Sequence, residues 1–451
     1  MSSADRIRPS LDAVAEHWAG QTVALVVDHF NGGMKALAEE LTRCGATIAA
    51  VVSNTAPADG DPAVPLRWSA AEHGLHLSHH QFENWLAGQP ADVLDWLDTV
   101  DPGRHWRILG TTYATFAELG GRPAAGRWRP DWAVWEDKTR VDALWQRAGV
   151  PAPPHEIRPV DDPDLPAAVA RLDRGRGVVL AADATRSVLG SSQGLRWVRS
   201  AAELADARTR FTGTCDRLRI SPFLPGVPNS ILGMVLPDGV AVFDPFEIIT
   251  LRRPDTGELI YGGTSTWWRP GERDREQIRQ YTRQVGEELA ASAGYVGIYS
   301  VDGLLGPDGF LATELNPRHV SGLGLRAGWP EFPMRLLNRA IQQGSPAVPA
   351  FDHRDLETAV RDAVRANPSC SLWVPLTGDA PSTSEHTAQV LGRTVRFRVA
   401  CGGFWLLDGE LGAGDGTIGP VAAELAAALG SDDLVSFADD SVASTLLTSA
   451  R

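Results

Sequence analysis

Apolar and polar residues alternate along this chain in blocks that change period. Thr22-Val23-Ala24-Leu25-Val26-Val27 is an unbroken apolar run, Gly32-Gly33 interrupts it and a helical pattern follows, and the run returns from Thr47 to Val52. Strand, helix, strand at this spacing predicts a βαβ unit and a parallel α/β layer over residues 22–54. Residues 120–134, rich in Gly, Arg, Pro and Trp, read as a connector. A helix is expected from Asp137 to Ala148, ended by Gly149 and the prolines at 151, 153 and 154. Strands are expected at 177–182 and 195–198, then strand, turn, strand over 219–250 around Pro237-Asp238-Gly239. Ile278, Tyr281, Val285 and Leu289 make one stripe of a helix over 274–293. Residues 345–370 read as a Pro-containing linker plus a helix. Short strands near 372–374, 395–399 and 404–407 and a helix over 421–429 suggest a small α+β appendage. No long repeat is apparent.

The densest chemistry lies in residues 302–318. Pro307-Asp308-Gly309 reads as a three-residue hairpin loop with a left-handed glycine. That register pairs Gly306 with Phe310, and therefore Asp302 with Glu314, and puts Asn316 on the same face. A two-residue turn would send the two acids to opposite faces. Facing carboxylates repel unless a cation separates them, and two carboxylates with an amide oxygen suit magnesium. Arg318, two residues on, can fork onto a phosphate or carboxylate.

Composition narrows the classes. The 451 residues predict about three domains. An apolar content of 43% with 22% charged residues describes an ordinary globular protein. A net charge of −14 argues against nonspecific nucleic-acid binding. Cys44, Cys215, Cys370 and Cys401 are scattered, which suggests neither a disulfide framework nor a zinc site. No leader-like segment and no long apolar stretch occur, so a cytoplasmic location with no membrane partner is the expectation. The fifteen tryptophans read mostly as packing.

Gly190-Ser191-Ser192-Gln193-Gly194, between two strands, offers backbone N–H groups and hydroxyls to an anion. Lys138 could neutralise phosphate charge. His73, His76, His79 and His80 fall at helical spacing, and a solvated helix explains them better than a metal site.

In this order the motifs resemble the ATP-grasp superfamily of ligases. The resembling pieces are Glu136-Asp137-Lys138 with Gly149-Val150-Pro151-Ala152-Pro153, the loop 190–194, Ser221-Pro222-Phe223-Leu224-Pro225-Gly226, and Asp302 with Glu314-Leu315-Asn316-Pro317-Arg318. The layout is most similar to the pheganomycin-type peptide ligases. The resemblance implies a Rossmann-like pre-ATP-grasp domain over 1–130, a small lobe over 131–220, a large lobe with the metal site over 221–345, and a C-terminal α+β domain over 346–451.

It further implies ATP and Mg2+ as cofactors. Lys138 would touch phosphate; Gly190, Ser191, Ser192 and Gly194 would close over the β- and γ-phosphates. Ser221, Phe223 and Leu224 would hold adenine through the backbone, and Asp302, Glu314 and Asn316 would bind magnesium. Arg318, Arg186 and Glu247 form the candidate catalytic set. Arg252, Arg253, Trp267, Arg269 and Gly322 stand where the family meets substrate, with Tyr261 to Arg269 as a mobile cover.

Two features depart from the family pattern. The strand Val178-Val179-Leu180-Ala181-Ala182 lacks the usual second phosphate-binding lysine, with Arg186 the nearest substitute. Val227-Pro228-Asn229 lacks the usual ribose-binding acid. The expected activity is ATP-dependent joining of a small-molecule carboxylate to an amine through an acyl phosphate, as in specialised-metabolite biosynthesis. A small-molecule kinase, acyl transfer to a carrier-protein thiol and a nucleotide-binding module without catalysis are the alternatives, and a homodimer is left open.

Overall fold

The computed structural model describes residues 2–30, 32–186, 192–320, 332–345, 352–376, 384–400, 403–409 and 416–437. Strands β1 (Thr22–Val27), β2 (Thr47–Ser53), β3 (Leu66–Ser69) and β4 (Arg107–Leu109) form a parallel sheet in the order β3-β2-β1-β4. Val23, Leu25 and Val27 enter one apolar cluster with the helices Ser3–Trp18 and Gly32–Arg43. Ala24 and Val26 enter another with the helices His79–Ala87 and Ala91–Val100. Burial on both faces is why these strands read as continuous apolar runs. A short hairpin, β5 (Glu118–Leu119) and β6 (Arg122–Pro123), leads out of this layer.

The second sheet is antiparallel: β7 (Glu156–Pro159), β8 (Val178–Ala182), β9 (Leu195–Val198) and β10 (Arg217–Pro222), in the order β7-β10-β8-β9. Val178, Leu180, Leu218 and Ile220 pack under the helices Leu165–Leu172 and Ala201–Phe211. Strand alternation turns Val179, Ala181, Arg219 and Ser221 the other way, towards a cleft.

The far wall of that cleft is the third sheet. It contains β11 (Val227–Leu236), β12 (Gly239–Val242), β13 (Phe246–Arg253), β14 (Glu258–Ser265), β15 (Gly297–Gly306) and β16 (Gly309–Asn316). Its later strands are β17 (Cys370–Pro375), β18 (Ser384–Val390), β19 (Arg393–Ala400), β20 (Gly403–Gly409) and β21 (Val435–Ser436). The path runs β16-β15-β11-β13-β14-β17-β20-β19-β18, with β12 on β11 and β21 on β13. Because β17 bonds to the edge of β14, the strands after residue 370 extend this sheet and do not stand apart as an appendage. The helix Glu272–Ala293 lays Ile278, Val285 and Leu289 on its core beside Trp132 and Trp145.

Three local expectations change. The helix expected from Asp137 starts at Asp142, because the Asp137 carboxylate accepts the Thr139 N–H at 2.8 Å and its hydroxyl at 2.7 Å. Such an Asx turn competes with the helix and leaves Lys138 in a loop. The four histidines do not share a helix: Ala71–His73 is a single turn, Gly74 is left-handed at φ 78°, and a new helix begins at His79, capped by Ser78. His73 stacks on Trp68 with centroids 4.5 Å apart, while His79 lies 3.8 Å from Asp28. Tyr261 to Ser265 is the end of strand β14, not a loop. Among the described residues no helix is long and apolar enough to cross a membrane.

Candidate active site

The hairpin β15–β16 closes with a two-residue turn, Gly306 pairing with Gly309 and Leu305 with Phe310. The three-residue loop expected there is not formed. In a regular ladder that turn would set Thr313 opposite Asp302 and send Glu314 to the other face. A β-bulge at Thr313 restores the pairing, so that Asp302 faces Glu314 and Ser300 faces Asn316. Gly303, beside the bulge, has no room for a side chain: a Cβ would meet the Phe310 ring at 2.3 Å and the Leu311 carbonyl oxygen at 2.5 Å.

All three expected metal ligands line one cavity of about 310 Å³ between the second and third sheets. Asp302 is directly opposite Ser230 on β11, whose hydroxyl donates to it at 2.6 Å, and Asn316 Nδ2 donates to it at 3.1 Å. Lys138 Nζ lies 2.9 Å from Glu314 Oε2. Burial, and next the Glu314 charge, push the Asp302 carboxyl up to about 7. Two acids that cannot comfortably ionise together fit a divalent cation between them. Asn316 would serve it through Oδ1, which here accepts from Arg318 Nη2 at 2.9 Å; its amide would turn over to do so.

Arg318 is held on three sides. It forks onto buried Glu136 at 2.6 and 3.0 Å, bonds Asn316, and lies over the Tyr113 ring at 4.3 Å. Burial disfavours its charge, but Glu136 outweighs this and raises its pKa.

The connection from β10 to β11 forms a polar edge. Phe223 N–H donates to the Gly177 carbonyl at 2.9 Å, on the β8 side. Strand alternation therefore turns the Pro222 carbonyl and Leu224 N–H to the β7 side. There β7 begins at Glu156, and residues 153 and 154 are prolines with no N–H to offer. The Pro222 carbonyl thus meets no donor from this side, beside the cavity that Ser221, Pro222 and Leu224 line. Phe223 turns away, stacking on Trp197 at 4.7 Å. Ser192 lines the cavity in a left-handed conformation, φ 66°, and Gly194 accepts the Ala182 N–H at 2.9 Å. Gly190, Ser191 and Gly322 lie outside the described residues.

The other candidates are held elsewhere. Arg186 is exposed and paired with Asp216 at 2.7 Å. Glu247 is buried, accepting the N–H groups of Ile418 at 2.6 Å and Gly419 at 2.8 Å; it anchors the start of the helix Gly419–Ala428. Burial raises its pKa to about 7. Arg252 lies over the Trp197 ring at 5.0 Å and donates to the Ser436 carbonyl. Arg253 bridges Asp433 and Glu258, Trp267 packs against the C-terminal core, and Arg269 donates to the Arg365 carbonyl. None of these six lines the cavity, whereas Tyr261 and Thr264 of β14 do.

Sequence reading missed Arg219. It sits on β10 directly opposite Ala181, on the cavity face, held by Asp142 at 2.7 and 2.8 Å. Its signal, the second of two arginines at alternate positions of β10, becomes meaningful only once β8 and β10 are known to pair.

No protein-family model matches the chain, and no curated protein matches it. Among solved structures it is similar to an L-amino acid ligase from Bacillus licheniformis, at 14% identity and TM-score 0.57, covering 93% of this chain and 98% of that one. The biotin carboxylase domain of a Hydrogenobacter thermophilus 2-oxoglutarate carboxylase, solved with MgADP and bicarbonate, matches at 15% identity and TM-score 0.55, over 85% and 83% of the two chains. An N5-carboxyaminoimidazole ribonucleotide synthetase in complex with ADP matches at 17% and 0.51, over 74% and 78%. The chain thus has the ATP-grasp fold that these enzymes share.

Proposed function

We propose that this protein is an ATP-dependent ligase that joins a carboxylate to an amine through an acyl phosphate. One observation carries the reading: Asp302, Glu314 and Asn316 share one face at the floor of a cleft that also presents Lys138 and Arg318. Similarity in fold to enzymes solved with ADP or MgADP supports a nucleotide in the same cleft. Magnesium, held by Asp302, Glu314 and Asn316, neutralises charge on the phosphate oxygens when bound.

The chain's own residues would bind and orient the reactants. Adenine takes the Leu224 N–H and the Pro222 carbonyl, which border the cleft. Lys138, Arg318 and Arg219 supply positive charge to the phosphates, Arg219 occupying the place opposite Ala181 where β8 has no cation. A carboxylate oxygen attacks the γ-phosphorus and ADP leaves. An amine nitrogen then attacks the acyl carbon; phosphate departs with the carboxylate oxygen, and the nitrogen loses a proton. Phosphorylation makes a poor leaving group a good one, so the protein contributes mainly positioning and charge. Exclusion of water protects the acyl phosphate.

Incubation with ATP, magnesium and a matrix of carboxylates and amines, followed by mass detection, tests this. A condensed product with equal ADP and phosphate is expected. A stable phosphorylated product that ignores amines would make the protein a kinase.

A further inference from the structure

Strand β13 divides its side chains between two tasks. Phe246, Ile248 and Thr250 line the cavity between the second and third sheets. Glu247, Arg252 and Arg253, which read as catalytic or substrate groups in the sequence, hold the C-terminal segment instead. Glu247 accepts the N–H groups that start the helix Gly419–Ala428, and Val421, Ala422 and Leu425 bury that helix against Ile249 and Leu251. Arg253 pairs with Asp433 at 2.7 Å, and Arg252 Nε donates to the Ser436 carbonyl at 3.2 Å. Beside them β21 pairs with β13, Leu251 opposite Ser436 and Arg252 opposite Val435.

These bonds end at Phe437. Its N–H donates to the Thr250 carbonyl at 2.9 Å, and its buried ring forms part of the cavity wall. There it meets the Phe223 ring at 4.9 Å, which in turn stacks on Trp197 of β9, so the segment bridges the third sheet to the second. A second tie lies nearby. Trp197 N–H donates to the carbonyl of Gly257, in the β13–β14 hairpin, at 2.8 Å. Gly257 is left-handed at φ 64°, and a Cβ there would meet the Trp197 carbonyl oxygen at 2.1 Å. Val179, Leu195, Leu259 and Leu304 line the cavity around Phe437. Leu304 follows Asp302 by two residues on β15, so this apolar part begins about 7 Å from the metal residues. Apolar and aromatic walls suit a flat heterocycle, whereas Lys138 and Arg318 suit phosphate.

Resting on the reading that ATP occupies this cleft, we infer that Phe437 is a nucleotide-binding residue, its ring walling the base, and that the C-terminal segment delivers it to the site. Glu247, Arg252 and Arg253 are positioning residues that act through that segment. The metal and phosphate residues all precede residue 320, yet the nucleotide is gripped fully only with residues 418–437 seated.

The test uses the intact protein, with MgADP and magnesium pyrophosphate as calorimetric probes; pyrophosphate carries the charge without the base. Phe437→Ala is expected to weaken MgADP about 30-fold and to leave magnesium pyrophosphate within about twofold. In turnover, most of its loss should fall on the KM for ATP and not on kcat. Phe437→Leu, which keeps most of the apolar volume, should return MgADP binding to within about fivefold of the parent. Glu247→Gln should weaken MgADP about tenfold and add little to Phe437→Ala, because both act through one ring. Arg253→Ala removes a part-exposed pair where folding is not at stake, and should weaken MgADP about threefold with pyrophosphate unaffected. MgADP binding unchanged in Phe437→Ala and Arg253→Ala, or both probes weakened equally, would overturn the inference. No MgADP binding by the parent protein would overturn it together with the nucleotide reading. Binding that depends on Phe437, with no condensed product from any carboxylate and amine, would sink the ligase reading alone.

Discussion

Asp302 and Glu314 face each other across the β15–β16 ladder because Thr313 is bulged out of it. The bulge compensates for a turn one residue shorter than the Pro307-Asp308-Gly309 signature suggests. The consequence is a pair of acids on one cavity wall, one bonded to Ser230 and Asn316, the other to Lys138.

Glu314→Ala should abolish amide formation, by at least about 1,000-fold in kcat, while leaving the fold intact. Glu314 is part-exposed and pairs with Lys138, so unfolding free energy should change by less than about 1 kcal/mol. Near-normal turnover in this variant would remove the site from the chemistry.

The pH dependence has a defined sign. Asp302, raised from 3.8 to about 7 by burial and then by Glu314, binds its proton more tightly folded than unfolded. Its contribution to stability is full below about 4 and is lost as pH rises through about 7, an effect on the order of a few kcal/mol. Magnesium competes with that proton, so metal-induced stabilisation should grow over the same interval. Thermal unfolding at pH 5 and 8, with EDTA or with magnesium, checks both statements. Asp302→Asn should flatten the EDTA curve.

Arg318 and Glu136 should separate structure from function. Arg318→Ala leaves Glu136 buried and unpaired, at a cost of about 3–5 kcal/mol. Adding Glu136→Leu should recover most of that stability in chemical denaturation without recovering turnover. Recovery of both would reduce Arg318 to a structural residue.

Arg219 and Arg186 make a contrasting pair. Arg219→Gln should raise the KM for ATP by roughly 10- to 100-fold, in keeping with loss of a buried charged contact. Arg186→Ala should leave it within about twofold, since an exposed pair such as Arg186–Asp216 contributes little. Steady-state kinetics at saturating co-substrate distinguish them.

What could be read from the sequence is local. The apolar runs of β1 and β8 and the stripe of the helix Glu272–Ala293, which follows a period of 3.6 residues, can be seen in single stretches of chain. The face shared by Asp302, Glu314 and Asn316 was also legible, although by way of a turn that does not form. What escaped depends on partners distant in sequence. Glu247 looks like a catalytic acid until Ile418 and Gly419 arrive to bond it, and Arg252 looks free until Trp197 and Ser436 flank it. Arg219 gains meaning from Asp142 and Ala181, and Phe437 from Phe223 and Thr250. No short window of sequence contains these pairs.

The most decisive measurement follows one oxygen atom. With a carboxylate substrate labelled with oxygen-18 in both oxygens, turnover through an acyl phosphate should deliver one label to each released phosphate, seen by mass or by the phosphorus-31 isotope shift. Phosphate carrying no label, formed alongside the amide, would contradict attack of the carboxylate on the γ-phosphorus.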